Sequence, residues 1–395
     1  MQLSLVRVEA AGRLKKVQPS GIRRMFSQTN NIPNVISLRL GEPDFSPPPH
    51  VLEALKEALD EGKTHYTPTA GVPELLEALA KKAKKDYGLT YDPNTEILIT
   101  VGGTQAIFLA MQALVNRGEE VLTPDPGFVC YEPSVHIADG VPVNVPLAEG
   151  MGFSLDTQAV ISHITEKSRM IIVNSPNNPT GTVFSHADLS GLAKAAVERD
   201  LIVISDEVYE KITYDDARHY CLASFPSMRE RTIVVGSFSK TYAMTGFRIG
   251  YAYGPKELIA PMMLAHQFSV ACVNGPAQYG ALAALNGSQD FVKNMVTEFD
   301  RRRKLVFSRL NEIEGFRCDL PEGAFYAFAN IKGFGTSSEK FAEYLVNNAR
   351  VITVPGSAFG KNGEGYIRLS YAAGYDKLED ALIRIEKAAK AFKKA

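Results

Sequence analysis

Lys240 lies in GSFSKTYAMTGFRIGY (236–251), directly after TIVVGS (232–237), an apolar run that reads as a buried strand. An ammonium group at the end of such a strand is costly unless it is paired, shifted in pKa or used covalently. Lys240 could therefore form a Schiff base with a carbonyl cofactor. Ser237, Ser239 and Arg248 are near it in sequence, and two hydroxyls with a guanidinium suit a phosphate. An isolated S-x-S-K would instead be an exposed loop lysine. VGGTQAIF (101–108) has a strand end, two glycines and a helix start near Thr104. Backbone N–H groups and the positive helix end can hold a phosphate there, although Gly-Gly-Thr is also an ordinary turn with an N-cap.

In ISDEVYE (204–210), Asp206 ends another strand, where open α/β sheets present ligand contacts. A carboxylate facing inward needs a cation, and a protonated pyridine nitrogen would serve; the alternative is an aspartate capping the next helix. Tyr209 could reach a phenolic oxygen on the same ring. NSPNNPTG (174–181) makes a rigid turn with amides on offer, and a cis bond is open to Asn178–Pro179. Arg368, inside YIRLSYA (366–372), must pair within an apolar strand. Its fork fits a substrate carboxylate, with a structural salt bridge as the other reading.

The elements that must position these groups alternate. EILITV (96–101), EVLTP (120–124), RMIIVN (169–174), LIVISD (201–206), TIVVGS and RIGYAYG (248–254) are mostly continuous apolar runs, as suits strands buried on both faces of a mostly parallel sheet. TQAIFLAMQAL (104–114) and ADLSGLAKAAVERD (187–200) are helical, so the class is α/β. A helix from Pro73 carries Glu74 and Glu77 early and Lys81, Lys82, Lys84 and Lys85 late, before Gly88, which reads as a solvated helix end complementing the dipole. Arg301–Lys304, in a helical stretch from about Gly275 to Asn311, takes the same reading. After Asn311 the pattern becomes α+β: GAFYAFANI (323–331), a helix over 338–349, VITVPGSAF (351–359), YIRLSYA and a closing helix. We expect a large domain over 46–285 and a small one from both ends, 1–45 and 286–395.

Composition narrows the partners. Forty-three Lys and Arg against 44 Asp and Glu leave a net charge of −1, against a nucleic-acid or anionic-membrane binder. Cys130, Cys221, Cys272 and Cys318 form no C-x-x-C, and no two histidines stand at i, i+4, so no metal site is expected. MQLSLVRVEAAGRLKKV lacks a leader pattern and no apolar run nears the ~18 residues of a membrane span, so a cytoplasmic protein is expected. The dinucleotide, P-loop and serine-hydrolase glycine motifs are missing, which disfavours a nicotinamide dehydrogenase and a serine hydrolase.

Together, in order and spacing, these segments resemble the class I/II pyridoxal-phosphate aminotransferases of fold type I, closest to the aspartate and aromatic enzymes of archaea and bacteria. GEPDF (41–45), HYTPTAG (65–71), PDPGFVCY (124–131) and PEGAFYAF (321–328) extend the likeness from about Asn34 to Ala388. The resemblance implies pyridoxal 5′-phosphate on Lys240, which later shuttles the Cα proton, with Asp206 at the ring nitrogen, Tyr209 and Asn178 at the phenolic oxygen and Phe128 on the ring face. It implies a phosphate site of Gly103, Thr104, Gln105, Ser237, Ser239 and Arg248, completed by Tyr66 of a neighbouring subunit and hence a homodimer. Gly41, Asn178 and Arg368 would hold the substrate's α-carboxylate. The implied reaction moves the amino group of an L-amino acid to 2-oxoglutarate by a ping-pong route. An aromatic donor, or a β-lyase reaction on the same scaffold, is the alternative.

Some aspartate-specific relatives carry a lysine where this chain has Thr104, whereas Arg39 stands where relatives often have small residues. If 39–41 is extended, Arg39 and Gly41 face one side. Arg39 then supplies a cation for a dicarboxylate such as aspartate; its alternative is a surface ion pair.

Overall fold

In the computed structural model of the protein, residues 9–17 and 33–392 are described. Residues 1–8, which carry much of the N-terminal reading, lie outside the described residues, as do 18–32 within the span assigned to the small domain. The central sheet has seven strands: β1 (Ile97–Thr100), β2 (Glu120–Asp125), β3 (Val141–Pro146), β4 (Ser168–Asn174), β5 (Ile202–Asp206), β6 (Thr232–Ser237) and β7 (Gly250–Tyr253). Their order is β1-β7-β6-β5-β4-β2-β3. Only β7 runs against its neighbours, antiparallel to both β1 and β6. The fold is therefore α/β with a mostly parallel sheet, as its continuous apolar strands require.

Alternation along each strand divides those side chains between two cores. Met170, Ile172, Ile202 and Ile204 enter one cluster with Ile107 and Ala110, while Ile171, Val173 and Val203 enter the other with Leu189 and Leu192. The helices α1 (Pro49–Asp60), α2 (Pro73–Tyr87), α3 (Gly103–Leu114), α4 (Tyr131–Ile137), α5 (Thr157–His163), α6 (His186–Glu198), α7 (Lys256–Val270) and α8 (Gly275–Asn286) accompany this sheet. Helix α2 starts at Pro73 and is closed by Gly88 in the left-handed region, and Lys81, Lys84 and Lys85 are exposed as expected, but Lys82 is not solvated: its side chain is 11% exposed and pairs with Asp86 at 3.0 Å and Glu210 at 2.7 Å.

A second core lies beyond α8. Helices α9 (Asp290–Asn311), α10 (Ser338–Ala349) and α11 (Tyr375–Phe392) pack with strands β8 (Tyr326–Asn330), β9 (Val354–Pro355) and β10 (Tyr366–Ser370), paired antiparallel in the order β9-β10-β8. Phe299, Leu310, Phe341, Leu345, Ile367 and Leu382 share its interior with Leu38 from the other end of the chain. Ile36–Ser37 pairs in parallel with Val351–Ile352, which fixes the Arg39–Gly41 segment against this unit.

Two further expectations are corrected. The stretch 275–311 is two helices, because the chain is extended at Gly287, the C-cap of α8. Arg302 and Arg303 are not solvated: they are 5% and 1% exposed. Arg302 meets Asp44 at 2.7 Å and Glu298 at 2.9 Å, and Arg303 meets Asp215 at 2.6 Å, Asp300, and the Pro321 carbonyl at 2.7 Å. Buried guanidinium groups need such saturation, and Glu298 and Asp300, three or four residues earlier on the helix, supply part of it.

Candidate active site

Parallel register places the ends of β4, β5 and β6 side by side. Asn174 is level with Asp206, and Asp206 with Val235, two residues before Ser237. Beyond these ends opens a cavity of about 210 Å³. Its wall includes Arg39, Gly41, Gly103, Thr104, Phe128, Asn178, Asp206, Tyr209, Ser237, Ser239, Lys240, Arg248 and Arg368. Segments spread over some 330 positions of sequence thus converge on one space.

Lys240 is no exposed loop lysine. It lies in a one-turn helix, Phe238–Thr241, capped by the Ser237 hydroxyl, and its Nζ donates to the Gly41 carbonyl at 2.5 Å. It is intermediate in exposure because the cavity itself reaches it. Burial, then the charge of Arg248 and further off that of Arg368, push its ammonium down to about 8, while Glu42 and Asp206 oppose the shift. About one Lys240 in ten is then neutral at pH 7, when its nitrogen can bond or accept a proton.

Asp206 is 3% exposed. Burial pushes its carboxyl up to about 6, against a hydrogen bond from Tyr131 Oη at 2.7 Å and a weaker one from the Val208 N–H at 3.4 Å. Asn174 Nδ2 donates to the Asp206 carbonyl at 2.9 Å, and Asn174 Oδ1 accepts from the Asn178 N–H at 2.8 Å. The Asn178–Pro179 bond is cis, as was open to it.

Arg368 is saturated on one side only. Its Nη1 donates to Asn178 Oδ1 at 2.8 Å and its Nη2 to the Arg39 carbonyl at 2.6 Å, and its guanidinium lies 4.4 Å over the Tyr326 ring. Its Nε is buried with no partner, a donor left for an anion. No carboxylate pairs with it among the described residues, against the structural salt bridge. Arg39 is 6% exposed and lines the cavity, and burial lowers its pKa.

The opposite end suits a phosphate. Helix α3 has no side-chain cap, and its N-cap, Gly102, has φ +75°. A Cβ on Gly102 would meet Arg248 Nη2 at 2.5 Å, so glycine lets the guanidinium lie against the helix start. Arg248 itself has φ +53° and is held by the Thr245 carbonyl at 3.0 Å. Gly41 is needed for a similar reason, since its Cβ would meet Tyr326 Oη at 2.1 Å.

Two expected residues stand elsewhere. Gln105 turns back along the chain, its Oε1 accepting from the Val101 N–H at 2.6 Å, and does not line the cavity. Tyr66 is 89% exposed and likewise outside it. Three residues were missed. Tyr131 bonds Asp206, Asn174 ties the Asp206 and Asn178 loops together, and Tyr326 shares a 2.8 Å bond with Tyr209 Oη while stacking on Arg368. Tyr131 and Tyr326 lie in quoted segments, and the signal available was that a tyrosine in an apolar strand or at its end needs a partner for its hydroxyl.

A lysine, a buried carboxylate and an anion-seeking arginine around one cavity, at the carboxyl ends of a mostly parallel sheet, define a group-transfer enzyme of the fold type I class. Residues 33–385 match the family described as aminotransferase class I and II. An aspartate aminotransferase of Pyrococcus abyssi is 49% identical over 95% of this chain and 97% of its own length. Aromatic-amino-acid aminotransferase 2 of Thermococcus litoralis is 46% identical over 96% and 97%. Among solved structures, an aromatic aminotransferase from Pyrococcus horikoshii superposes with a TM-score of 0.90 at 48% identity, covering 95% of this chain and 100% of that one. An aspartate aminotransferase from Rhizobium meliloti gives 0.94 at 37% identity, covering 97% and 99%. The chain belongs to the class I and II aminotransferase family, whose members generally depend on pyridoxal phosphate, and it is a transaminase.

Proposed function

We propose that this transaminase holds pyridoxal 5′-phosphate on Lys240 and moves the amino group of L-aspartate to 2-oxoglutarate. The observation that carries the reading is the convergence of Lys240, Asp206 and Arg368 on one cavity, with the buried Nε of Arg368 left without a partner. The donor set fits the group: a lysine lowered to about 8, an uncapped helix start beside Arg248, and a buried carboxyl for a ring nitrogen.

When bound, pyridoxal phosphate supplies a carbonyl that takes up an amino group and a protonated ring that accepts the charge left as Cα loses its proton. Asp206 would hold the proton on the ring nitrogen, its carboxylate aimed by the hydrogen bond from Tyr131. The amides of Gly103 and Thr104, the Ser237 and Ser239 hydroxyls and Arg248, all lining the cavity, would hold the phosphate, and Phe128 would lie against the ring. Tyr209 and Asn178, which also line the cavity, would hold the phenolic oxygen. Arg368 and the Gly41 backbone take the substrate's α-carboxylate, and the neutral Lys240 Nζ receives the Cα proton. Aspartate is favoured because Arg39 adds a second buried cation to the substrate end, and because relatives such as that of Pyrococcus abyssi are named for it.

We also propose that two chains pair, so that Tyr66 reaches the phosphate of the partner's site; Phe268 and Leu264 of α7, 83% and 59% exposed, suit a covered face. The break at Gly287 is our boundary between a large domain, 46–285, and a small one from both ends. The free cysteines accord with a cytoplasmic location.

The test is a half-reaction panel. The cofactor-loaded protein is mixed with single amino acids, and conversion to the amine form of the cofactor is followed for each. Aspartate should be fastest, and Arg39→Ala should raise KM for aspartate and 2-oxoglutarate on the order of tenfold or more, with little change for phenylalanine. Equal effects on both substrate types would remove Arg39 from the reading, and phenylalanine outrunning aspartate would replace the donor.

A further inference from the structure

A second cavity, of about 510 Å³, lies between the end of α2, the end of α8 and the first turns of α9. It shares no lining residue with the active site. Its floor is apolar, with Ala78, Leu285, Val292 and Val296, and its wall carries five lysines: Lys81, Lys82, Lys85, Lys211 and Lys293.

Three of these ammonium groups are neutralised. Lys82 pairs with Asp86 at 3.0 Å and Glu210 at 2.7 Å, Lys211 with Asp86 at 2.9 Å, and Lys293 with Asp290 at 3.0 Å. Lys81 and Lys85 have no ion-pair partner among the described residues. They stand one helical turn apart, where like charges repel. Five ammonium groups against three carboxylates leave two positive charges over an apolar floor. Lys81 and Lys85 remain exposed at the rim, and α8 and α9 make the space beside them concave.

We propose that this cavity binds a compact organic dianion with an apolar body. Its charged groups meet Lys81 and Lys85 and its body lies on Leu285 and Val292. The occupant also touches Lys293 and Tyr242, so it ties α2 to the start of α9. Tyr242 stands two residues after Lys240 and donates from Oη to Gln289 Oε1, on the residue before α9, at 2.9 Å. The site therefore adjoins the segment that carries the lysine without being part of the active site.

Two sources share this chemistry, an organic phosphate and an aromatic dicarboxylate, and phenyl phosphate and isophthalate serve as probes. Each is titrated calorimetrically into cofactor-saturated protein at constant ionic strength. Saturable binding of one or both, retained in Arg368→Ala and so separate from the active site, is expected, weakening as salt is added, since exposed charges are screened over about 10 Å at ~0.1 M. Binding of one alone identifies the source. Lys81→Gln with Lys85→Gln should weaken it on the order of tenfold. Lys377→Gln with Lys387→Gln, the same charge change on exposed faces of α11, should leave it intact. No binding of either probe, unchanged binding in the first variant, or equal weakening in both would overturn the proposal.

Discussion

Tyr131→Phe removes one oxygen and isolates one hydrogen bond, that from Tyr131 Oη to Asp206 Oδ2 at 2.7 Å. A hydrogen bond to a buried carboxylate stabilises its charged form by about 1.5–3 kcal/mol. At ~1.36 kcal/mol per pKa unit, its loss moves the Asp206 pKa, already pushed up to about 6 by burial, to about 7–8. A carboxyl held above its ordinary pKa binds its proton more tightly folded than unfolded. Its contribution to stability is therefore full below the ordinary carboxylate pKa and declines as pH rises through the folded value. In the native sequence this decline ends near pH 6; in Tyr131→Phe it continues through about 7–8. The stability gap between the two proteins should thus be small at pH 5, widen through neutrality and level off above pH 8 at about 1.5–3 kcal/mol. Urea unfolding of the cofactor-free proteins across this range measures it, with no ring nitrogen present to complicate the carboxylate. A gap independent of pH would refute the assignment of Tyr131 to the charge on Asp206.

Gly102→Ala places a Cβ 2.5 Å from Arg248 Nη2 at a residue with φ +75°, so cofactor-free protein should bind pyridoxal phosphate on the order of tenfold more weakly, by fluorescence titration. Unchanged affinity would separate Arg248 from the phosphate. Arg303→Ala leaves Asp215, Asp300 and the Pro321 carbonyl facing an emptied site, and should cost about 3 kcal/mol in urea unfolding. A loss under about 1 kcal/mol would mean that the pair is as weak as an exposed one. Tyr66→Phe should lower cofactor affinity although Tyr66 lies outside its own chain's cavity, while sedimentation finds a dimer. A monomer, or no change in affinity, would exclude a shared site.

The central sheet was legible because its chemistry is local. Met170–Val173 and Ile202–Ile204 are apolar on both faces, which suits a covered parallel sheet, and both strands stand where their sequences put them. Lys240, Asp206 and Arg368 were legible for the opposite reason, as charges that break such runs. What could not be read needed the third dimension. Arg302 and Arg303 looked like a solvated run because Asp44, some 260 positions away, and Asp215 are invisible to helical periodicity. Tyr131 and Tyr326 carry no charge to mark them, and their hydroxyl partners, Asp206 and Tyr209, lie on other strands or loops. The extended chain at Gly287 ends α8 within a pattern that stays helical on both sides.

The proposed attachment of the cofactor to Lys240 can be tested directly by trapping it. Protein incubated with pyridoxal phosphate can be reduced with borohydride, digested and mapped by mass spectrometry. The phosphopyridoxyl mass should fall on the peptide containing Lys240 and vanish from that map in Lys240→Ala. Label on another lysine, or none on the native sequence, would contradict it.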